Sequence, residues 1–109
     1  MLPYVELKEY LDESGRSPFG KWFQRLDGPA AARLTTSLTR LGLGNWSSVK
    51  GVGAGVFEVK IDFGPGYRVY FGKDGDAIVI LLAGGTKKRQ SRDVEAAQER
   101  WKNYKRRKT

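Results

Sequence analysis

The hydrophobic period of the chain changes from helical to strand-like near Asn45, and no other feature narrows the possible folds as much. Before that point apolar residues recur at three- and four-residue steps: Phe19, Trp22, Phe23 and Leu26, then Ala30, Leu34, Leu38 and Leu41. After it, Val56, Glu58, Lys60 and Asp62 alternate with Phe57, Val59, Ile61 and Phe63. The first spacing buries one stripe of a helix and the second buries one face of a strand, and neither works in the other conformation. Helices followed by a sheet predict an α+β domain.

Turn chemistry divides the pattern into elements. Ser17-Pro18 supplies an N-cap and a first-turn proline for one helix. Gly28-Pro29 ends it and opens a second, which turns Arg33 and Arg40 outward and stops at Gly42 and Gly44, so the two read as an antiparallel helical hairpin. Gly64-Pro65-Gly66 reverses the strand Val56 to Phe63, Tyr67 to Phe71 returns, Asp74-Gly75 turns again, and Ala77 to Leu82 reads as a fully buried central strand. Ser91 caps a last helix with Val94, Ala97 and Trp101 as its stripe, and the tail Lys105 to Thr109 is expected to fray. Tyr4 to Leu11 fits a strand or a short helix equally well. With the helices on one face of the sheet, the other face or its rim is expected to present Glu58, Lys60, Arg68 and the basic segment after Leu82.

A length of 109 residues suits one domain around one modest core. Hydrophobic residues make up 39%, too many for a disordered chain, and the longest apolar run, Ala77 to Ala83, is far short of the roughly 20 residues that cross a bilayer. No export signal is legible, and a chain without cysteine fits the cytoplasm. The lack of both cysteine and histidine removes thiolate nucleophiles, zinc sites of the usual kind and imidazole acid/base chemistry. Carboxylates, Lys, Arg, Tyr, Ser and Thr remain. Met1 to Gly85 carries ten basic and nine acidic residues, whereas Thr86 to Thr109 carries ten and three, so +7 of the net +8 lies in the last segment. Such a field either draws in a polyanion or belongs to a solvated helix with a solubilising tail.

Several local patterns have plain structural accounts. Gly51, Gly53 and Gly55 spell G-x-G-x-G, but strand-like residues follow where a dinucleotide site needs a helix, so a tight approach or a connection with positive φ is the better reading. Gly84-Gly85-Thr86-Lys87-Lys88 lacks the spacing of a phosphate-binding loop. Asp74 and Asp76 flank a hairpin glycine and are turn formers, and Glu58, Lys60 and Asp62 on one strand face are read first as cross-strand charge pairs. Arg68 shares a face with Tyr70, so its guanidinium could hold a phosphate while the ring stacks a base, or it could pair with Glu58 or Asp62.

Three longer segments carry a resemblance: Val49 to Ile61 (VKGVGAGVFEVKI), Phe63 to Phe71 (FGPGYRVYF), and Leu81 to Lys88 (LLAGGTKK) with Gln90. Together with Ser17-Pro18-Phe19, Trp22 and Leu26, they resemble the HigB-like "addiction module killer protein" branch of the RelE/ParE toxin superfamily. The resemblance covers nearly the whole chain and implies one toxin domain over 1–109, ordered β-α-α-β-β-β-α, with two N-terminal helices and a C-terminal helix against a twisted antiparallel sheet and Tyr4 to Leu11 as its first strand. It implies the toxin of a type II toxin–antitoxin system, a ribosome-dependent mRNA endoribonuclease in which a 2′-hydroxyl attacks the adjacent phosphate. Its partners would be the ribosome, mRNA and a cognate antitoxin with a helix-turn-helix; no membrane, cofactor or metal is implied. Catalytic roles would fall to Arg68, Lys60, Lys88, Glu58 and Tyr70, and RNA contacts to Lys50, Lys87, Arg89 and Arg92. Removing the Arg68 guanidinium would then abolish toxicity while sparing antitoxin binding. Two departures stand out: Glu58 and Val94 occupy positions where RelE has a lysine and a catalytic tyrosine. A ParE-like inhibitor of DNA gyrase, or an antitoxin-binding module without toxicity, would use the same scaffold.

Overall fold

The computed structural model describes residues 4–108. Strand β1 (Glu6–Glu9) is followed by helices α1 (Pro18–Phe23) and α2 (Gly28–Gly42), strands β2 (Val49–Gly53), β3 (Val56–Ile61), β4 (Tyr67–Asp74) and β5 (Ile78–Thr86), a 3₁₀ turn at Lys87–Arg89, and helix α3 (Gln90–Lys108). The strands form one sheet in the order β1-β5-β4-β3-β2. The architecture is α+β, but the sheet is mixed, because β1 pairs parallel with β5 while β2 to β5 run antiparallel. A wholly antiparallel sheet was expected; the two helices between β1 and the meander supply the crossover that parallel pairing requires.

The first two helix starts follow the sequence signals, whereas α3 begins at Gln90 straight after the 3₁₀ turn, so Ser91 lies inside its first turn and does not cap it. Ser17 Oγ accepts from the Gly20 N–H at 2.8 Å, and Asp27, one residue before the expected boundary, accepts from Ala30 N–H at 2.9 Å with Pro29 in the first turn. Each bond satisfies an N–H that the helix leaves free. Strand β2 was not foreseen, because two glycines dilute its alternation. It turns into β3 through Gly53, Ala54 and Gly55, all at positive φ, which accounts for the last two glycines of the G-x-G-x-G pattern.

Both faces of the sheet are covered. Val59, Ile61, Val69, Phe71, Val79 and Leu81 pack with Phe19 of α1 and with Leu34 and Leu41 of α2. On the opposite face Val56, Tyr70, Ile80 and Leu82 pack with Ala97 and Trp101 of α3. The expectation that all helices share one face is therefore wrong: α3 occupies the face assigned to solvent. Lys105 to Lys108 do not fray either. Arg107 donates to the Leu11 carbonyl and lies 5.2 Å over the Tyr10 ring, Tyr104 O–H donates to Asp74 at 2.6 Å, and Lys108 pairs with Asp74. Thr109, the end of that expected tail, lies outside the described residues.

A bulge between Tyr70 and Phe71 shifts the β4–β5 register, and strand alternation sends Gly84 and Gly85 to opposite faces. A Cβ at Gly84 would lie 2.1 Å from the Trp22 ring, and one at Gly85 would lie 1.8 Å from Asp93. Helices α1 and α3 thus approach the β5 backbone where it has no side chains. Gly84→Ala is expected to destabilise the fold by about 2 kcal/mol through overpacking. Gly51→Ala, where a Cβ meets nothing within 4 Å, should leave the urea midpoint nearly unchanged.

Candidate functional site

Strand alternation decides which chemistry-bearing side chains meet. Lys50 on β2 stands opposite Glu58 on β3, Glu58 opposite Tyr70 on β4, and Lys60 opposite Arg68. These residues share the sheet face that α3 covers. Glu58 is 1% exposed and is held by three groups: Gln90 Nε2 donates to it at 2.7 Å, Arg68 Nε lies 3.6 Å away and Lys50 Nζ lies 3.8 Å away. A carboxylate taken out of water needs such partners, since unpaired it would cost several kcal/mol.

Arg68 is 5% exposed, so it does not present its fork to solvent as the exposed-face expectation required. The residues above and below it explain why: the 3₁₀ turn and the start of α3 close over this face, and Glu58 compensates the buried guanidinium. Arg68 Nη1 donates at 3.2 Å to the Gly66 carbonyl, which also accepts from Lys87 N–H at 2.8 Å. The guanidinium therefore ties the Gly64–Gly66 reversal to the first residue after β5. Arg68→Ala is therefore a stability variant. Glu58 and Tyr70 are buried likewise, and the Tyr70 hydroxyl has no hydrogen-bond partner among the described residues. Burial first, then the Glu58 charge, pushes its ionisation far above the ordinary tyrosine range.

The exposed members of the expected set lie together in sequence and space. Lys87, Lys88, Arg89 and Arg92 are exposed and line, with Gln90 and Ser91, a cleft of about 450 Å³. Lys50 and Lys60 are exposed at the strand side. The sequence reading thus separates into a buried trio, Glu58, Arg68 and Tyr70, and a solvent-facing cationic rim.

Asp93 was missed, because an acid in the first turn of a basic helix reads as a complement to the helix dipole. It lines a 260 Å³ cavity between α1 and α3, bounded by Trp22, Gly84, Gly85, Arg89 and Arg100. Its Oδ2 is buried without a hydrogen-bond partner, and burial raises its pKa against the opposing pull of Arg89, Arg100 and Arg92. Arg100 is held by donating to the Leu82 carbonyl at 3.1 Å. A displaced carboxyl between guanidinium groups in a cleft marks a group suited to proton exchange.

Two outcomes are expected from this arrangement. Arg68→Ala should lower stability by about 3 kcal/mol in urea denaturation, and adding Glu58→Gln should restore much of it, because the loss comes from a stranded buried charge. Asp93 binds its proton more tightly folded than unfolded, so its favourable contribution is complete below the unfolded pKa and disappears as pH rises through the folded one. Asp93→Asn should therefore be more stable than the parent at neutral pH and lose that advantage in acid, as followed by thermal unfolding across pH.

No known family model matches the chain. It is 40% identical over 80 residues to an uncharacterized protein of Haemophilus influenzae (strain ATCC 51907 / DSM 11121 / KW20 / Rd), an alignment that spans 72% of this chain and 81% of the relative. Identity at that level over most of both chains places them on one scaffold, and the chain belongs to the same family as the Haemophilus influenzae protein.

Proposed function

We propose that the chain is the toxin of a type II toxin–antitoxin pair, of the HigB-like branch of the RelE/ParE superfamily. It acts in the cytoplasm by cutting messenger RNA on the ribosome and is neutralised by a cognate antitoxin carrying a helix-turn-helix. One observation carries this reading. The three segments of the resemblance become β2–β3, β4 and the end of β5, and they bring Lys50, Glu58, Arg68, Tyr70 and Lys87 to one end of the α3 face. The element order differs from the expected β-α-α-β-β-β-α by the added strand β2.

The chemistry is divided differently from the sequence expectation. Lys87, Lys88, Arg89 and Arg92 contact the phosphates, since they are exposed in one cleft. When the ribose 2′-oxygen attacks the neighbouring phosphorus and the 5′-oxygen leaves, charge grows on the phosphoryl oxygens, and cations positioned beforehand stabilise it. Asp93 is the carboxyl suited to take the 2′-hydroxyl proton. Arg68 is a positioning residue that holds Gly66 and Lys87 in place. The ribosome supplies the orientation of the message.

A second reading has its own support. With Glu58, Arg68 and Tyr70 buried, the scaffold also suits a binding protein without cleavage, such as an inhibitor of DNA gyrase. Inducible expression followed by mapping of 5′ ends across cellular messages separates the two. Growth arrest with new message ends is expected, and Lys87→Gln/Lys88→Gln should reduce cleavage at least tenfold at unchanged stability. An SOS response with trapped gyrase and intact messages would establish the alternative, and harmless expression would leave only an antitoxin-binding module.

A further inference from the structure

Helix α2 contains no acidic residue, and both of its cationic side chains lie on one side of it, while Thr35 and Thr39 face a separate groove beside β1 and α1. Arg33, Thr36, Ser37 and Arg40 fall at three- and four-residue steps, so they form one stripe beside the buried stripe of Ala30, Leu34 and Leu41. That polar stripe does not simply face solvent. It forms one wall of a cleft of about 420 Å³ whose other wall is Ser48, at the entry to β2, with Lys60, Ile61 and Asp62 at the end of β3. The cleft lies on the sheet face opposite α3, away from the Lys87–Arg92 rim.

Its charges are not neutralised within the molecule. Elsewhere Lys50 and Arg68 pair with Glu58, and Lys108 pairs with Asp74. Among the described residues Arg40 and Lys60 make no ion pair or side-chain hydrogen bond, and the Arg33 guanidinium lies 4.5 Å over the Phe63 ring. A guanidinium held against an aromatic face keeps its N–H edge free while losing little freedom on binding. Two guanidinium groups and three hydroxyls around one concavity form a site for an anion with several acceptor oxygens.

We infer that this cleft binds a ribose-phosphate segment of RNA, forming a second nucleic-acid contact on the α2 side of the sheet. Arg33 and Arg40 take the phosphate oxygens, and Thr36, Ser37 and Ser48 supply further donors. Asp62 distinguishes RNA from a carboxylate-rich peptide and from DNA. Its carboxylate repels another carboxylate but accepts a hydrogen bond from a ribose 2′-hydroxyl, the group that DNA lacks. This inference goes beyond the proposed cleavage activity and does not depend on it, because it concerns binding at residues outside the cleaving cleft.

The test uses the full chain and fluorescence anisotropy with a short single-stranded RNA, the DNA of the same sequence and a poly-glutamate peptide, across a salt series. Arg33→Gln/Arg40→Gln is expected to weaken RNA binding about tenfold and to lower the salt slope by roughly 1.4, the value for two lost phosphate contacts on a single strand. Asp62→Asn should narrow the preference for RNA over DNA while leaving the slope unchanged. Circular dichroism checks that each variant is folded, and Thr36→Val/Ser37→Ala, which keeps both arginines, should weaken RNA binding without changing the slope. Unchanged affinity and slope in a folded Arg33→Gln/Arg40→Gln protein would overturn the inference, as would loss of peptide binding with RNA binding intact. Both readouts are independent of growth arrest, so failure here is distinct from failure of the toxin assignment.

Discussion

A carboxylate at 1% exposure on a sheet face obliges its surroundings to supply compensation, and much of this molecule is arranged around meeting that demand at Glu58. Arg68 comes from the neighbouring strand, Lys50 from the strand on the other side, and Gln90 from the first turn of α3. Four elements are thereby joined at one point. The Arg68 guanidinium extends the linkage through the Gly66 carbonyl to the backbone of Lys87. A charge that would destabilise an isolated strand instead specifies how the β2–β3–β4 ribbon and α3 register against one another.

This linkage also separates structure from surface chemistry. Under α3, Glu58 engages Arg68, Lys50 and Gln90, and the exposed cations lie elsewhere. One set follows β5 along Lys87, Lys88, Arg89 and Arg92, and the other lines the cleft between α2 and the end of β3. The two sets lie on opposite sides of the sheet, which the helices cover on both faces. A small basic domain built in this way presents positive charge at more than one point of its surface.

The close approaches of α1 and α3 depend on glycine. Trp22 lies against Gly84, Trp101 against Gly72 and Gly55, and Asp93 against Gly85. A Cβ at any of these would fall within 3 Å of the facing group, so these four glycines serve helix-to-sheet packing. Trp22, Gly84 and Gly85 form walls of the Asp93 cavity, where the Asp93 Oδ2 is buried.

Local signals were sufficient for the elements whose causes are local. The cap at Ser17, the helix boundary at Gly28-Pro29, the Gly64-Pro65-Gly66 reversal, the Asp74-Gly75 hairpin and the opposition of Tyr70 to Val69 could all be read from neighbouring residues, because capping, turn chemistry and strand alternation act over a few positions. The parallel pairing of β1, the glycine-diluted strand β2, the burial of Glu58, Arg68 and Tyr70 and the isolation of Asp93 could not. Alternation says that Glu58 and Arg68 share a face with one another, but a polar face reads as solvent-exposed unless a partner far along the chain is known to cover it. Helix α3 is that partner, and the charge pairing that makes its burial tolerable exists only once four distant segments have come together.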